Sequence, residues 1–252
     1  MTAPERAPLG AALALLLTVI TLTGHLSPLL MAIAVALVGL MVGLAWPALL
    51  ELPSPLGTRI VVSAAGAASA LITVLAPERI SPVTGILIVC AGGVLASFIH
   101  QMCRPVRDGL TASLTGTVAG VFVTSLGASW VIAQSQVQVE GMSWLVTAVA
   151  AGLAATLLID ATPLPTVVRF VLAVLAGAGT CLALTTQLGG LDGLDLLPGV
   201  VLGLVVAVGA SCTHLLLGST LVSRRPGPTL AVAAGPVATV GVVALLAVTL
   251  LL

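Results

Sequence analysis

The sequence predicts an all-α fold: a polytopic transmembrane helical bundle of about nine spans, forming a single domain over residues 1–252. The chain is 59% hydrophobic and 6% charged, whereas soluble domains carry about 25% charged residues. Apolar runs of roughly 20 residues recur along it, each long enough to cross a bilayer as a helix. The net charge is zero, so no basic surface indicates nucleic-acid binding.

Turn-forming residues divide the apolar runs into the predicted spans. Ser27-Pro28 and Ser81-Pro82 each combine an N-cap residue with a proline at the first helical position. Asp108 begins span five at the positive end of the helix dipole, and the polar stretch 134–142 is predicted to be a connector. The predicted spans are 9–24, 28–50, 58–75, 82–102, 109–133, 143–159, 164–184, 196–222 and 229–252.

The first apolar run has two interpretations. A charged N-terminus followed by a short apolar run is typical of a signal peptide. However, no A-x-A-like cleavage site follows and a second apolar run begins almost at once. We therefore predict that residues 9–24 form the first membrane helix.

The arginines orient the predicted spans. With alternating crossings, the N-terminus and the turns after the even-numbered spans share one side, and this side holds every arginine except Arg79. Because cationic residues near helix ends favour the cytoplasm, the N-terminus is predicted inside and the C-terminus outside. Trp46 would then lie at the inner interface, and Trp130 and Trp144 at the outer one, as an aromatic belt.

The composition also indicates a source and argues against bound cofactors. Lys, Asn and Tyr are absent, and because their codons begin with AA or TA, their joint absence indicates a GC-rich genome. We predict a multi-pass protein of a bacterial cytoplasmic membrane. The four cysteines form no C-x-x-C pair, so neither a zinc site nor a disulfide framework is predicted. No cofactor is predicted.

Charged residues on the predicted cytoplasmic side are candidates for a contact with a lipid headgroup. The densest group follows His100 in the turn after span four, and clustered arginines suit phosphate. Ordinary positive-inside anchoring would explain the same residues. Arg169 can extend to the interface and pair with Asp160. The candidate headgroup residues are Arg104, Arg107, Asp108, Asp160, Arg169, Arg224 and Arg225.

Span eight places polar residues inside the predicted membrane. His214 lies about ten residues before Arg224, or roughly 15 Å along a helix, with Ser211 and Thr213 beside it. An ionisable group at this depth is a candidate proton relay or polar lining, although a neutral histidine bonded to another helix is the simpler explanation. The hydroxyl groups of span five have the same two interpretations. GxxxG pairs in spans two, five and eight indicate close packing, not a threefold repeat.

Three charged landmarks occur in a recognisable order. Arg107-Asp108 leads into residues 119–126, Asp160 closes span six, and Arg224-Arg225 forms a basic turn after span eight. This order resembles the phosphatidate cytidylyltransferase (CDP-diglyceride synthase) family, which implies a nine-span fold with a cytoplasmic active site. The turn SRRPGPTLAVAAGP lacks the K-D pair, the H-G-G and the D-R of the family's signature. The resemblance therefore implies a fold and no catalytic residue.

These patterns favour a non-catalytic membrane protein, either permease-like or lipid-associated, with membrane lipids and a membrane-protein partner or a second copy as its partners. A divergent cytidylyltransferase-like lipid enzyme and a scaffold subunit of a complex stay open as alternatives. A cavity lined by Asp108, Asp160, Arg169 and Arg224 would favour headgroup binding. A continuous polar path through His214 and span five would favour transport, and a solid bundle with an apolar flank would favour a scaffold.

Overall fold

The computed structural model describes residues 7–23, 26–75, 80–105, 108–140, 144–189, 196–218 and 228–251. Most of these residues are helical, and none of them forms a β-strand. The helices are α1 (Ala7–Thr21), α2 (Ser27–Leu49), α3 (Pro55–Leu75), α4 (Pro82–Met102), α5 (Leu110–Leu126), α6 (Ser129–Glu140), α7 (Trp144–Asp160), α8 (Thr166–Gly189), α9 (Leu196–Gly218) and α10 (Thr229–Leu251).

The helices have the length and composition of membrane spans. Seven are long and apolar enough to cross a bilayer when α5 and α6 are counted together, and α1 and α7 are shorter apolar helices. The predicted all-α fold is confirmed for the described residues, and several crossings make this a multi-pass membrane protein.

Helix α10 forms the centre of the bundle. It packs against α1, α2, α5, α6, α7 and α9. Helices α2–α5 pack against one another, and so do α1 and α7–α9. Helices α4 and α8 are peripheral: 22% of their most apolar windows is buried, against 72% for α10.

Glycines bring α2 and α3 into close contact. A β-carbon at position 39 would lie 3.0 Å from the Cα of Gly66, and one at position 43 would lie 2.5 Å from the backbone nitrogen of Ser63. Such small residues let helix backbones approach where lipid provides no hydrophobic driving force between helices. The α2–α3 hairpin therefore depends on these two positions.

The predicted connector at 134–142 is wrong where the structure describes it. After a two-residue turn at 127–128, α6 continues the chain as helix to Glu140. Gln134 is fully buried and donates from Nε2 to Ser27 Oγ at 2.7 Å, and Gln138 also donates to Ser27. A partner more than 100 residues away thus accepts the amide N–H groups of side chains that suggested a solvated loop.

Other helix ends differ from the predicted bounds by a few residues. Helix α3 begins at Pro55, three residues early, and α8 continues to Gly189 instead of residue 184. The described part of α9 ends at Gly218, and residues 219–227 lie outside the described ranges. Helix ends are the part of a pattern-based prediction that local sequence constrains least.

The aromatic-belt prediction is wrong for two tryptophans. Trp46 is 5% exposed and Trp130 is fully buried. The Trp46 indole donates from Nε1 to the carbonyl oxygen of Gly116 at 2.7 Å, and Trp130 donates to that of Val237 at 2.8 Å. Both rings therefore join helices inside the bundle; Trp144 is half-buried.

Candidate functional site

Three helices bring a small polar cluster together at one end of the bundle. Asp160 is the last residue of α7, and Arg169 lies at the start of α8, its backbone N–H bonded to the carbonyl of Pro165 at 2.9 Å. From α9, Ser211 Oγ donates to Asp160 Oδ2 at 3.2 Å. Arg169 Nε lies 3.9 Å from Asp160 Oδ1. One carboxylate thus links α8 and α9 to the end of α7.

The cluster is buried. Asp160 is 2% exposed, Arg169 8% and Ser211 fully buried. The Arg169–Asp160 distance exceeds that of a hydrogen bond, and the guanidinium forms no hydrogen bond to any described residue. An arginine carries five N–H donors, so Arg169 retains donors for an anionic group.

His214 and Thr213 follow Ser211 on α9. His214 is 3% exposed and lies one turn after Ser211, on the same face of α9. Thr213 is half-buried and donates to the carbonyl of Gly209 at 2.8 Å. Because Ser211 bonds to Asp160, one of the three residues predicted at membrane depth joins the pair predicted at the cytoplasmic face.

The turn after α4 holds two of the predicted headgroup residues, Arg104 and Asp108. Arg104 donates from Nη1 to Gln101 Oε1 at 2.8 Å and from Nη2 to the Asp108 carbonyl at 3.4 Å. Gln101 is buried and donates from Nε2 to Ser113 Oγ at 2.8 Å. Arg104 therefore closes the turn, and the Asp108 side chain faces outward. The predicted site residues Arg107, Arg224 and Arg225 lie outside the described residues.

The hydroxyl groups of α5 join helices. Thr117 shares a hydrogen bond with Thr58 at 2.9 Å, and Thr124 Oγ1 donates to the carbonyl of Val62 at 3.2 Å. Ser125 accepts from Ser69 at 3.0 Å. These buried bonds fasten α5 to α3, and no described bond continues them to His214 on α9.

Sequence reasoning missed a second polar contact, at the α2–α3 turn. Ser54 Oγ and His100 Nε2 share a hydrogen bond at 2.8 Å, and the His100 ring lies against Gly57. A signal for this region exists in the sequence. An acid followed by P-x-P-x-x-x-R occurs at Glu51–Arg59 and again at Asp160–Arg169.

The described cavities lie away from the predicted headgroup residues. One of about 350 Å³ lies between α3 and α4, one of about 280 Å³ between α9 and α10, and one of about 450 Å³ beside Gln136 and Glu140. None of the three is lined by Asp108, Asp160 or Arg169. Within the described ranges, no three His, Cys, Asp or Glu residues lie close enough to hold a metal ion.

No family model, curated protein or solved structure matches this chain.

Proposed function

We propose that this is a non-catalytic bacterial membrane protein, lipid-associated or permease-like, that binds a phosphate-bearing anion at Arg169. The observation that carries this proposal is the burial of Arg169 beside a single, loosely placed carboxylate. A charge in such surroundings is expensive, and ionisable groups within a membrane bundle are functional by default.

The geometry around Arg169 favours an additional anion. Asp160 approaches Nε, and Ser211 holds the second carboxylate oxygen. The Nη groups are left to form the paired bonds that suit phosphate oxygens. Arg169 also stands at the start of α8, where the helix dipole is positive. A second negative charge would offset both positive sources.

The proposed topology places this cluster on the cytoplasmic side. We take α5 and α6 together as one crossing, which gives nine crossings with the N-terminus inside. The Asp160–Arg169 turn then shares a side with the N-terminus and the α4–α5 turn, as the arginine distribution favours. A phospholipid headgroup of the inner leaflet is therefore the first ligand to test.

Phosphate binding at Arg169 can be tested with the purified full chain in mild detergent. We expect native mass spectrometry to show bound phosphatidylglycerol, and substitution Arg169→Gln to reduce the bound fraction at least fivefold. Binding of phosphatidylcholine, measured in the same way, tests whether the net charge of the lipid matters. If inorganic phosphate displaces phosphatidylglycerol, a permease-like function with a soluble ligand is favoured. If it does not, a lipid-associated function is favoured.

The matched control is Arg104→Gln, because Arg104 closes its turn through Gln101 and Asp108. A monodisperse size-exclusion profile in detergent shows that both variants are folded, because Arg169→Gln leaves the buried Asp160 carboxylate without its charge partner and should lower thermal stability. Equal binding of phosphatidylglycerol by the native chain and a folded Arg169→Gln variant would refute the proposal. So would the absence of any anionic ligand from the native chain.

A further inference from the structure

A serine and a histidine meet at the turn between α2 and α3. Ser54 Oγ lies 2.8 Å from His100 Nε2, and both side chains are half-buried. A nucleophilic serine and its general base are separated by a similar hydrogen-bond distance. With the imidazole proton on Nδ1, the Nε2 atom accepts the hydroxyl hydrogen of Ser54 and can remove it.

The bond to His100 distinguishes Ser54 from serines in the same local sequence. Ser27, Ser54 and Ser81 each precede a proline at the start of a helix. The Ser81 hydroxyl caps its own helix by accepting from the Thr84 N–H, and Ser27 accepts from glutamine amides. A serine at a helix start usually accepts a backbone N–H two or three residues later. In Ser54 the hydroxyl bonds to the histidine instead.

Two backbone donors beside Ser54 are consequently left without a protein acceptor. The N–H groups of Leu56 and Gly57, in the first turn of α3, bond to no acceptor in the described part of the chain. The first N–H groups of a helix have no partner within the helix. Donors of this kind stabilise the oxyanion that forms when a serine attacks an acyl group. One turn therefore provides a nucleophile, a base and oxyanion donors.

Helix α5 holds both partners of the serine–histidine pair in place. On the serine side, a β-carbon at Gly109 would lie 3.2 Å from the Cγ of Pro53. On the histidine side, Gln101 donates from Nε2 to Ser113 Oγ at 2.8 Å. Reacting groups held on fixed elements lose little entropy when they meet a substrate. The pair is thus fixed before any ligand binds.

An apolar groove between α3 and α4 ends next to the serine–histidine pair. His100 lies against Gly57, where a β-carbon would overlap the imidazole ring. Residues four apart share one face of a helix, so Gly57 precedes Val61 and His100 follows Ala96 along the two rows that line the groove. The groove has a volume of about 350 Å³, and its lining includes Val61, Ala64 and Ala68 of α3 and Val89, Gly93 and Ala96 of α4. Such a groove suits an acyl chain.

We propose that Ser54, activated by His100, accepts an acyl group from a thioester, and that the acyl chain then lies in the α3–α4 groove. The bond between Ser54 Oγ and the acyl carbon forms as the carbon–sulfur bond breaks. His100 takes the hydroxyl proton and gives it to the leaving sulfur, which departs as a thiol. The acyl-serine is a covalent modification that needs no turnover. It goes beyond the ligand binding proposed at Arg169 and does not depend on it.

The reactivity of Ser54 can be tested on the purified full chain in mild detergent. A fluorophosphonate detects a base-activated serine, and the palmitoyl and acetyl thioesters of N-acetylcysteamine measure acyl transfer. Cys103 and Cys212, which are exposed, are first changed to alanine because thiols also accept acyl groups. Peptide mass spectrometry should locate each group on Ser54. The palmitoyl donor should react about tenfold faster than the acetyl donor, because only its chain fills the groove.

Matched variants separate the base from the groove. His100→Gln should slow the acylation of Ser54 about 100-fold, because glutamine can bond to the serine but cannot take its proton. Ser81 is the control serine and should stay unmodified. Gly92→Phe fills the groove at a position where a β-carbon meets no atom within 4 Å, and it should lower the palmitoyl rate to the acetyl rate. Gly179→Phe, at an equally open position on α8, should leave both rates unchanged.

The structure of the native chain makes the outcome decisive, because a hydrogen bond with a purely structural role gives the serine no reactivity. A Ser54 that stays unmodified by the thioesters in the folded native chain would overturn the proposal. So would acylation at the native rate in a His100→Gln variant that gives a monodisperse size-exclusion profile. Equal rates with the palmitoyl and acetyl donors would overturn the placement of the acyl chain in the groove.

Discussion

Replacement of Asp160 by alanine is expected to lower the free energy of unfolding by about 4 kcal/mol, the cost of leaving a buried charge without its partner. Arg169 is 8% exposed and would lose the carboxylate 3.9 Å from its Nε. Ser211, fully buried, would lose its acceptor. Unfolding in mixed dodecylmaltoside and SDS micelles provides the measurement.

Two further variants separate charge from packing. In the double variant Asp160→Ala/Arg169→Leu no buried charge remains, so most of the lost stability should return. Asp108→Ala is the surface control, because its carboxylate is exposed, and it should change stability by no more than about 0.5 kcal/mol. Equal destabilisation by Asp160→Ala and the double variant would show that the ion pair does not account for the effect.

Gly43→Val should destabilise the bundle by about 3 kcal/mol, near the upper end for overpacking. A β-carbon there would lie 2.5 Å from the backbone nitrogen of Ser63 and 2.7 Å from its Cα. Backbone atoms cannot rotate away, so α2 and α3 must separate along their length. The same micelle titration measures the effect.

Gly179→Val is the matched control for Gly43→Val. Both changes introduce the same β-branched side chain into a helix, with the same local cost. Nothing lies within 4 Å of a β-carbon at Gly179. If the two variants lost equal stability, the close α2–α3 approach would not be what Gly43 provides.

Local sequence was sufficient where a helix start depends on neighbouring residues. Ser81 was predicted as an N-cap, and its hydroxyl accepts from the Thr84 N–H at 3.2 Å. The same pattern at Ser27-Pro28 gives a different result. Ser27 forms no side-chain cap and accepts from Gln134 instead. Identical local chemistry diverges because only Ser27 has a distant amide within reach.

Combinations of rarer residues say more about repetition in this chain than glycine spacing does. GxxxG pairs indicate only close packing, because glycine is abundant, with 27 in the chain. An acid followed by P-x-P-x-x-x-R occurs at Glu51–Arg59 and again at Asp160–Arg169, and A-S-x-x-H occurs at 96–100 and at 210–214. These motifs contain less common residues and occur twice in the same order.

The sequence by itself determined that this is a helical membrane protein and, within a few residues, where most of its helices lie. Hydropathy and proline placement are local properties, so the chain need not be folded to reveal them. Only the tertiary structure decided which polar groups meet. Asp160 finds Ser211 from 51 residues away, and the Trp46 and Trp130 indoles turn inward to distant carbonyls. Such pairings depend on which helices pack side by side. The sequence does not reveal this, because the apolar surfaces of the helices differ little in hydropathy.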